Sequence, residues 1–533
     1  MNKMRRKLML ASAALAAAGL FGFNKIRQAS EAGETFNTKS IPTADARLGV
    51  NLSGIADWGT EFPFVDLFKQ SRAWFVEGKE PEDSGLTIDA DGWVTQLPND
   101  VEASTIISVL GNDHFPRGDY VILYDGEGEI KLPNHFTHSD KPGRLEVHVD
   151  GKKGIFLLSI TKTNPDNYIR NIRAVAKAYE KTHQQERWNP SFLKRWSGVA
   201  CLRFMDYGQT NNSTVANWER RAKPTDTSFA TNGVPVEWLV DLANRLNCDA
   251  WFCMPHLADD DYIIQHAQYV AQHLKPSLRA WVEYSNEVWN GSFDQYTYAT
   301  KTGLSLKLTD NDWEAASKFY AHRSVQIFNL WEQTFGGTQR LVRVLASQAS
   351  YSEVAEQILS FKLPNKQRAV DYADVLAIAN YVHLSVSSDS EPNGKVVAGW
   401  SLDQLFDHLN KKALPESKSW LVGNKKIADA YGLKLVAYEA GQHVVAYGES
   451  ADNNKLTQLF NKANGDARMG DVYTQSLAMW QQVGGDLICS FDSVGGWSKW
   501  GSWGLLQHHD DAPTAKFKAV MDWAKSRGQK VSY

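Results

Sequence analysis

The chain has 533 residues, 43% apolar and 22% charged, a balance that suits a globular protein with a sizeable core and excludes a disordered or fibrous one. The net charge is −4; six of the 57 Lys/Arg and one of the 61 Asp/Glu fall within residues 1–32, so the remainder carries −9. With no basic run and no Gly-rich phosphate loop, that balance argues against a nucleic-acid partner. The 19 Trp, 19 Tyr and 23 Phe are mostly core residues of a large protein. Indole and phenol rings also stack on the apolar faces of sugars, so the excess leans towards a carbohydrate ligand.

In chain order, the first feature is a targeting segment. Lys3, Arg5, Arg6 and Lys7 precede an apolar run over Leu8–Phe23, which is short for a bilayer span and suits a signal-peptide core. Ser30-Glu31-Ala32 offers a cleavage site, but Lys25 and Arg27 intervene, so residues 1–32 read either as a signal peptide or as an uncleaved membrane anchor. Both readings export the body of the protein to the periplasm or the cell exterior. A first strand, Leu48–Leu52, follows within 40–72. From about 73 to 165 the helical period vanishes. Gly85–Asp89, Tyr120–Tyr124, Arg144–Val149 and Gly154–Thr161 alternate there with Asp91-Gly92, Asp125-Gly126 and Asp150-Gly151, which are hairpin signals. This stretch reads as a β-rich, sandwich-like inserted domain.

From 166 to 533 apolar strand candidates alternate with amphipathic helices. The strands are Val199–Phe204, Ala250–Met254, Ala280–Tyr284, Arg340–Ala346, Val375–Ala379, Lys434–Tyr438 and Leu487–Phe491. The helices include Pro235–Leu246, Tyr262–Leu274, Trp313–Phe335, Leu402–Lys412 and Val472–Val483. Alternation of this kind argues for a parallel sheet wrapped by helices. With Leu48–Leu52 the strands number eight, which predicts an α/β fold of the (β/α)8 TIM-barrel type with the insertion after its first strand. An open doubly wound sheet is the alternative. Of the four cysteines, Cys201, Cys253 and Cys489 lie inside strand runs and, with Cys248, read as packed free thiols; their spacing fits no zinc motif.

In such a barrel the site lies where strand C-termini meet the loops. The residues placed there are Asn51, Ser53, Asp57 and Trp58 after strand one, and Asp206, Tyr207, Asn211 and Asn212 after strand two, with Arg203 in the end of that strand itself. Strand three brings His256 and Asp259-Asp260-Asp261; strand four brings Asn286, Glu287 and Trp289. Gln348, then Tyr381 and His383, follow strands five and six. Glu439, Gln442 and His443 end strand seven, and Asp492, Trp497, Trp500 and Trp503 follow strand eight. Two glutamates, Glu287 and Glu439, thus end separate strands among aromatics, as glycosidic bond cleavage requires of its paired carboxylates. Glu283, inside strand four, reads as an interior ion-pair partner. Arg203 reads equally as a partner for Glu283 or as a site residue. His256 with the three aspartates invites a metal reading, but consecutive aspartates point apart and suit a helix start. His508-His509-Asp510-Asp511 is a weaker metal candidate, and neither a metal nor another cofactor is expected.

The order Asn286-Glu287 at strand four and Glu439 at strand seven resembles the clan A glycoside hydrolases. Cys201–Asp206, Met254–Asp261 and Val282–Asn290 are similar to a group of exported bacterial proteins loosely labelled cellulose-binding. The resemblance covers roughly 40–72 and 170–533. It implies a retaining double displacement with Glu439 as nucleophile and Glu287 as acid/base, about 5–5.5 Å apart. Arg203 and Tyr381 would hold Glu439 ionised, and burial against Trp289 beside Glu439 would keep Glu287 protonated. Asn286 would bind a sugar hydroxyl, and His256, Trp289, His443 and Trp503 would line the substrate site. The substrate would be a polysaccharide or oligosaccharide of unspecified sugar and linkage. A transglycosidase using the same pair, a non-catalytic glycan-binding protein on a barrel scaffold, and a metal-dependent hydrolase are the other readings. Oligomeric state is not legible.

Overall fold

The computed structural model describes residues 45–532 apart from 111–113, 134 and 151–153. The segment read as a signal or anchor lies outside the described residues, and no helix among those described is long and apolar enough to cross a membrane. Eight parallel strands close into a barrel in chain order: β1 (Leu48–Asn51), β2 (Cys201–Arg203), β3 (Asp249–Met254), β4 (Ala280–Tyr284), β5 (Leu341–Ala346), β6 (Val375–Val386), β7 (Lys434–Ala446) and β8 (Ile488–Ser490). β8 returns to pair with β1 through Leu48↔Ile488 and Gly49↔Cys489. The fold is the (β/α)8 barrel expected from the alternation, and the open-sheet alternative falls.

These strands are apolar because both faces are covered: one by the barrel interior, the other by helices. β1, β2, β3, β4 and β8 are buried at every position. Gly49 is required sterically, since a Cβ there would stand 2.7 Å from Cys489 Sγ and 3.0 Å from the Cys201 carbonyl oxygen. The helices follow local rules. Val236–Leu246 starts after Pro235 and stops at Asn247, whose φ of 52° is the left-handed terminator. Asp260–His273 is capped by Asp259, which accepts from the Tyr262 N–H. The helix read over Leu402–Lys412 instead passes through a π turn at Leu409–Ala413 into Leu414–Ala430, with Pro415 tolerated in the new first turn.

Two strands outrun their expected ends. β6 continues to Val386 and β7 to Ala446, paired through Ser385↔Val445 and Val386↔Ala446, and so raise a two-stranded wall above the barrel mouth. β1 leads into the β-rich region. A four-stranded antiparallel sheet orders Arg170–Ala176, Gly118–Asp125, Arg144–Val149 and Phe136–Lys141, and a three-stranded sheet orders Ala103–Ser108, Phe156–Thr163 and Gly128–Lys131. Their apolar faces share one core that includes Ile107, Tyr120, Ile122, Val147, Phe156 and Leu158. Arg170–Ala176 lies beyond Pro165, where the sequence suggested the chain's return to the barrel. All four cysteines are buried and free.

Candidate active site

Arg203 organises the barrel mouth. It ends β2, is fully buried, and spends all five N–H donors. Nε and Nη2 donate to Glu283 Oε2 at 3.2 and 2.9 Å. Nη1 donates to Asn51 Oδ1 at 3.1 Å and Glu439 Oε1 at 3.0 Å. Nη2 also donates to Asn286 Oδ1 at 2.8 Å. One guanidinium therefore ties the ends of β1, β2, β4 and β7 together, and both readings of Arg203 hold at once. Its planar face also lies 5.1 Å from the Tyr438 ring, a packing that a lysine could not reproduce.

Glu439 is buried and accepts from two directions: Arg203 on Oε1 and the Tyr381 hydroxyl on Oε2 at 2.8 Å. Burial pushes its pKa up, and the Arg203 charge and the Tyr381 hydrogen bond work against that rise. Burial, the Glu439 charge and its own hydrogen bond to Glu439 hold the Tyr381 phenol well above its ordinary pKa, so it donates to Glu439 as a neutral hydroxyl. Glu287 has a different setting. It accepts from Tyr438 Oη at 3.1 Å and from Asn290 Nδ2 at 2.9 Å, neither of them cationic. Burial and then the neighbouring Glu439 charge push its pKa up to about 8. Both carboxyls are raised by burial, but a cation and a phenol oppose the rise at Glu439, whereas at Glu287 the neighbouring Glu439 charge adds to it.

Backbone irregularities aim these groups. On β7 the register slips: Ala437 pairs with Ile378 and Glu439 with Ala379, leaving Tyr438 as the extra residue of a bulge. Neighbours on a regular strand face opposite sides; the bulge lets Tyr438 reach Glu287 while Glu439 reaches Arg203. After β4, Ser285 and Glu287 adopt φ of 57° and 42°. Left-handed backbone at non-glycine residues is uncommon and concentrates at functional sites.

The other expected site residues distribute as follows. Asn286 is buried, held by Arg203 and by its own Nδ2 donating to Asn211 Oδ1 at 3.1 Å. Gln295 fixes that pair by donating to Asn211 Oδ1 and to the Asn286 carbonyl. His443 lies beside Tyr381, with ring centroids 5.3 Å apart, and accepts on Nδ1 from Trp503 Nε1 at 3.3 Å. Burial lowers its pKa to about 3, which fits that acceptor role. Tyr381, His443 and Trp503 therefore form one aromatic row beside Glu439. His256 packs edge-on against Tyr298 at 5.4 Å, its Nδ1 buried without a partner and its pKa lowered by burial to about 4. Trp289 is half-buried with Nε1 unpaired; the hydrogen bonds to Glu287 come instead from Tyr438 and Asn290. Asp259 is a helix cap, Asp260 pairs with Arg323 at 2.7 Å and Asp261 accepts from Gln265 at 2.6 Å, so the three aspartates diverge. Sequence reasoning also passed over Lys516, fully buried, which donates to the carbonyls of Ser502 and Trp503 at 3.0 and 3.1 Å and so anchors the Trp503 loop.

No family model matches the chain, and no curated protein matches it. Among solved structures the chain is similar to a 4-O-α-L-rhamnosyl-β-D-glucuronidase from Fusarium oxysporum 12S (13% identity, TM-score 0.37, 63% of this chain and 64% of that one). It is also similar to a Bacteroides ovatus GH5 xyloglucanase (9%, TM-score 0.35, 80% and 96%) and a Clostridium acetobutylicum GH5-4 endoglucanase (12%, TM-score 0.34, 65% and 93%). The match to the Fusarium enzyme thus spans less than two thirds of that enzyme's length.

Proposed function

We propose that the protein is an exported retaining glycoside hydrolase acting on a polysaccharide or oligosaccharide. The observation that carries this reading is the asymmetry of the glutamate pair: Glu439 takes a cation and a phenol, whereas Glu287 takes only neutral donors and is raised to about 8. In this reading Glu439 attacks the anomeric carbon and forms an ester as the glycosidic C–O bond breaks. Glu287 gives its proton to the departing oxygen. Glu287, now a carboxylate, takes a proton from water, whose oxygen attacks the same carbon and returns Glu439 to a carboxylate. Once Glu439 is esterified its charge is gone, which lowers the Glu287 pKa and suits it to the second, basic role.

The neighbours have defined tasks. Arg203 and Tyr381 steady the Glu439 carboxylate before attack and as it departs. Asn286, whose Oδ1 is committed to Arg203 and one Nδ2 hydrogen to Asn211, presents its second Nδ2 hydrogen to a sugar hydroxyl. Tyr381, His443 and Trp503 offer an aromatic wall to the ring, with His256 and Trp289 on the other side of the mouth. Residues 1–32 export the chain or tether it to the membrane. A panel of purified polysaccharides tests this reading. The wild type releases reducing ends from at least one of them. Glu439→Ala turns over that glycan about 10⁴-fold more slowly or worse while still retaining it on an affinity gel. Turnover by the variant would remove Glu439 as nucleophile, and binding without cleavage by the wild type would favour a glycan-binding protein.

A further inference from the structure

A second cluster of metal-ligating side chains lies away from the glutamates, where the loop after β8 meets the β-rich region. His114 comes from that region and His508, Asp510 and Asp511 from the loop. The His114 and His508 rings stack with centroids 3.7 Å apart and planes 5° from parallel. His114 Nδ1 stands 2.6 Å from Asp510 Oδ1 and 3.9 Å from Asp511 Oδ1, and His508 Nδ1 stands 3.6 Å from Asp511 Oδ1. We propose that His114, His508 and Asp511, with Asp510 hydrogen-bonded to His114 beside them, form a structural site for a Zn²⁺-class divalent cation that clamps the β-rich region to the barrel.

Donor spacing supports the assignment. Tetrahedral zinc with bonds of about 2.0–2.1 Å separates its ligand atoms by roughly 3.3 Å. The donor atoms of His114, His508 and Asp511 all lie within 4.8 Å of one another, so rotation of these side chains, with the two imidazoles unstacked, brings three donors onto one centre and leaves the fourth position to water. Two imidazoles with a carboxylate select zinc, cobalt or nickel over calcium or magnesium, which prefer oxygen alone.

The surroundings hold the ligands as an outer shell holds a metal site. Asp511 Oδ2 accepts from the backbone N–H groups of Gln507 and His508 at 3.1 and 2.8 Å, which turns Oδ1 towards the imidazoles. His509 Nε2 hydrogen-bonds the His114 carbonyl at 3.1 Å, and Arg195 donates to the His509 carbonyl. Side-chain exposures of 32, 16, 43 and 22% for His114, His508, Asp510 and Asp511 leave an entry path.

The second mixed cluster among the described residues, Asp119, His138 and His148, is exposed, and its residues lie on one sheet. It serves as a control. The test is a titration of the chelator-treated full chain with Co²⁺ and Zn²⁺. The expected result is one equivalent per chain, tetrahedral Co²⁺ d–d bands, release of protons on binding, and a rise in Tm of about 2–4 °C at saturating Zn²⁺. His114→Ala and Asp511→Asn should each weaken binding at least tenfold, and His148→Ala should leave it unchanged. Absence of tetrahedral bands, or binding that survives both His114→Ala and Asp511→Asn, overturns the site. Glycan turnover at low temperature is not a readout here, because the clamp is structural and the glutamate chemistry stands or falls separately.

Discussion

Replacing Glu287 by Gln should make the protein more stable, by an amount that grows with pH. In the folded chain the carboxyl is raised from 4.5 to about 8; in the unfolded chain it titrates near its ordinary value. Between those values the folded state holds one more proton than the unfolded state, so stability falls as pH rises, by about 1.4 kcal/mol per unit from this residue. The loss is absent near pH 4, reaches about 3 kcal/mol at pH 7, and levels off at about 5 kcal/mol above pH 9. Gln keeps one oxygen to accept from Tyr438 or Asn290, which donate to different oxygens of Glu287, and never ionises, so the variant lacks this slope. Urea unfolding of both proteins at pH 5, 7 and 9 measures the difference. The expected gap opens with pH in favour of the variant, which should also have lost glycan turnover. A gap that stays constant from pH 5 to 9 would mean that Glu287 is already ionised in the folded protein at neutral pH, and the acid role would go with it.

Other expectations concern the groups around Glu439. Arg203→Met leaves Glu283 and Glu439 buried without their shared cation and should cost about 3–5 kcal/mol, read as a lower urea midpoint. Tyr381→Phe removes one of two donors to Glu439; its pKa rises, so the acid limb of kcat/KM should move to higher pH while the basic limb, set by Glu287, stays near 8. An unmoved acid limb would place its titration elsewhere.

The barrel was legible because its strands are buried on both faces and read as apolar runs between amphipathic helices. Both glutamates, Arg203 and Tyr381 follow from that layout, since the mouth of a parallel barrel is defined by strand ends. What escaped was of two kinds. The upper parts of β6 and β7 carry Asn380, His383, Ser385, Gln442 and His443, and polar residues of that sort look like loop until the partner strand is known. The edge strand Phe136–Lys141 is exposed along most of its length and has no alternation to detect. Tyr438 and Lys516 were missed for a different reason. Tyr438 looks like one more apolar strand residue, and only the register slip turns it towards Glu287. Lys516 sits in a helix pattern where a lysine ordinarily faces water. His114 is 394 residues from His508, a pairing that no local spacing reveals.

The most direct test of the central claim is covalent trapping. Once the polysaccharide panel identifies the released sugar, its 2-deoxy-2-fluoro glycosyl fluoride is incubated with the enzyme, which is then digested and mapped by mass spectrometry. The account predicts time-dependent inactivation with one fluorosugar on Glu439, and no adduct in Glu439→Ala. An adduct on Glu287, or steady turnover of the true substrate with no trapped intermediate and inversion at the anomeric carbon, would contradict it.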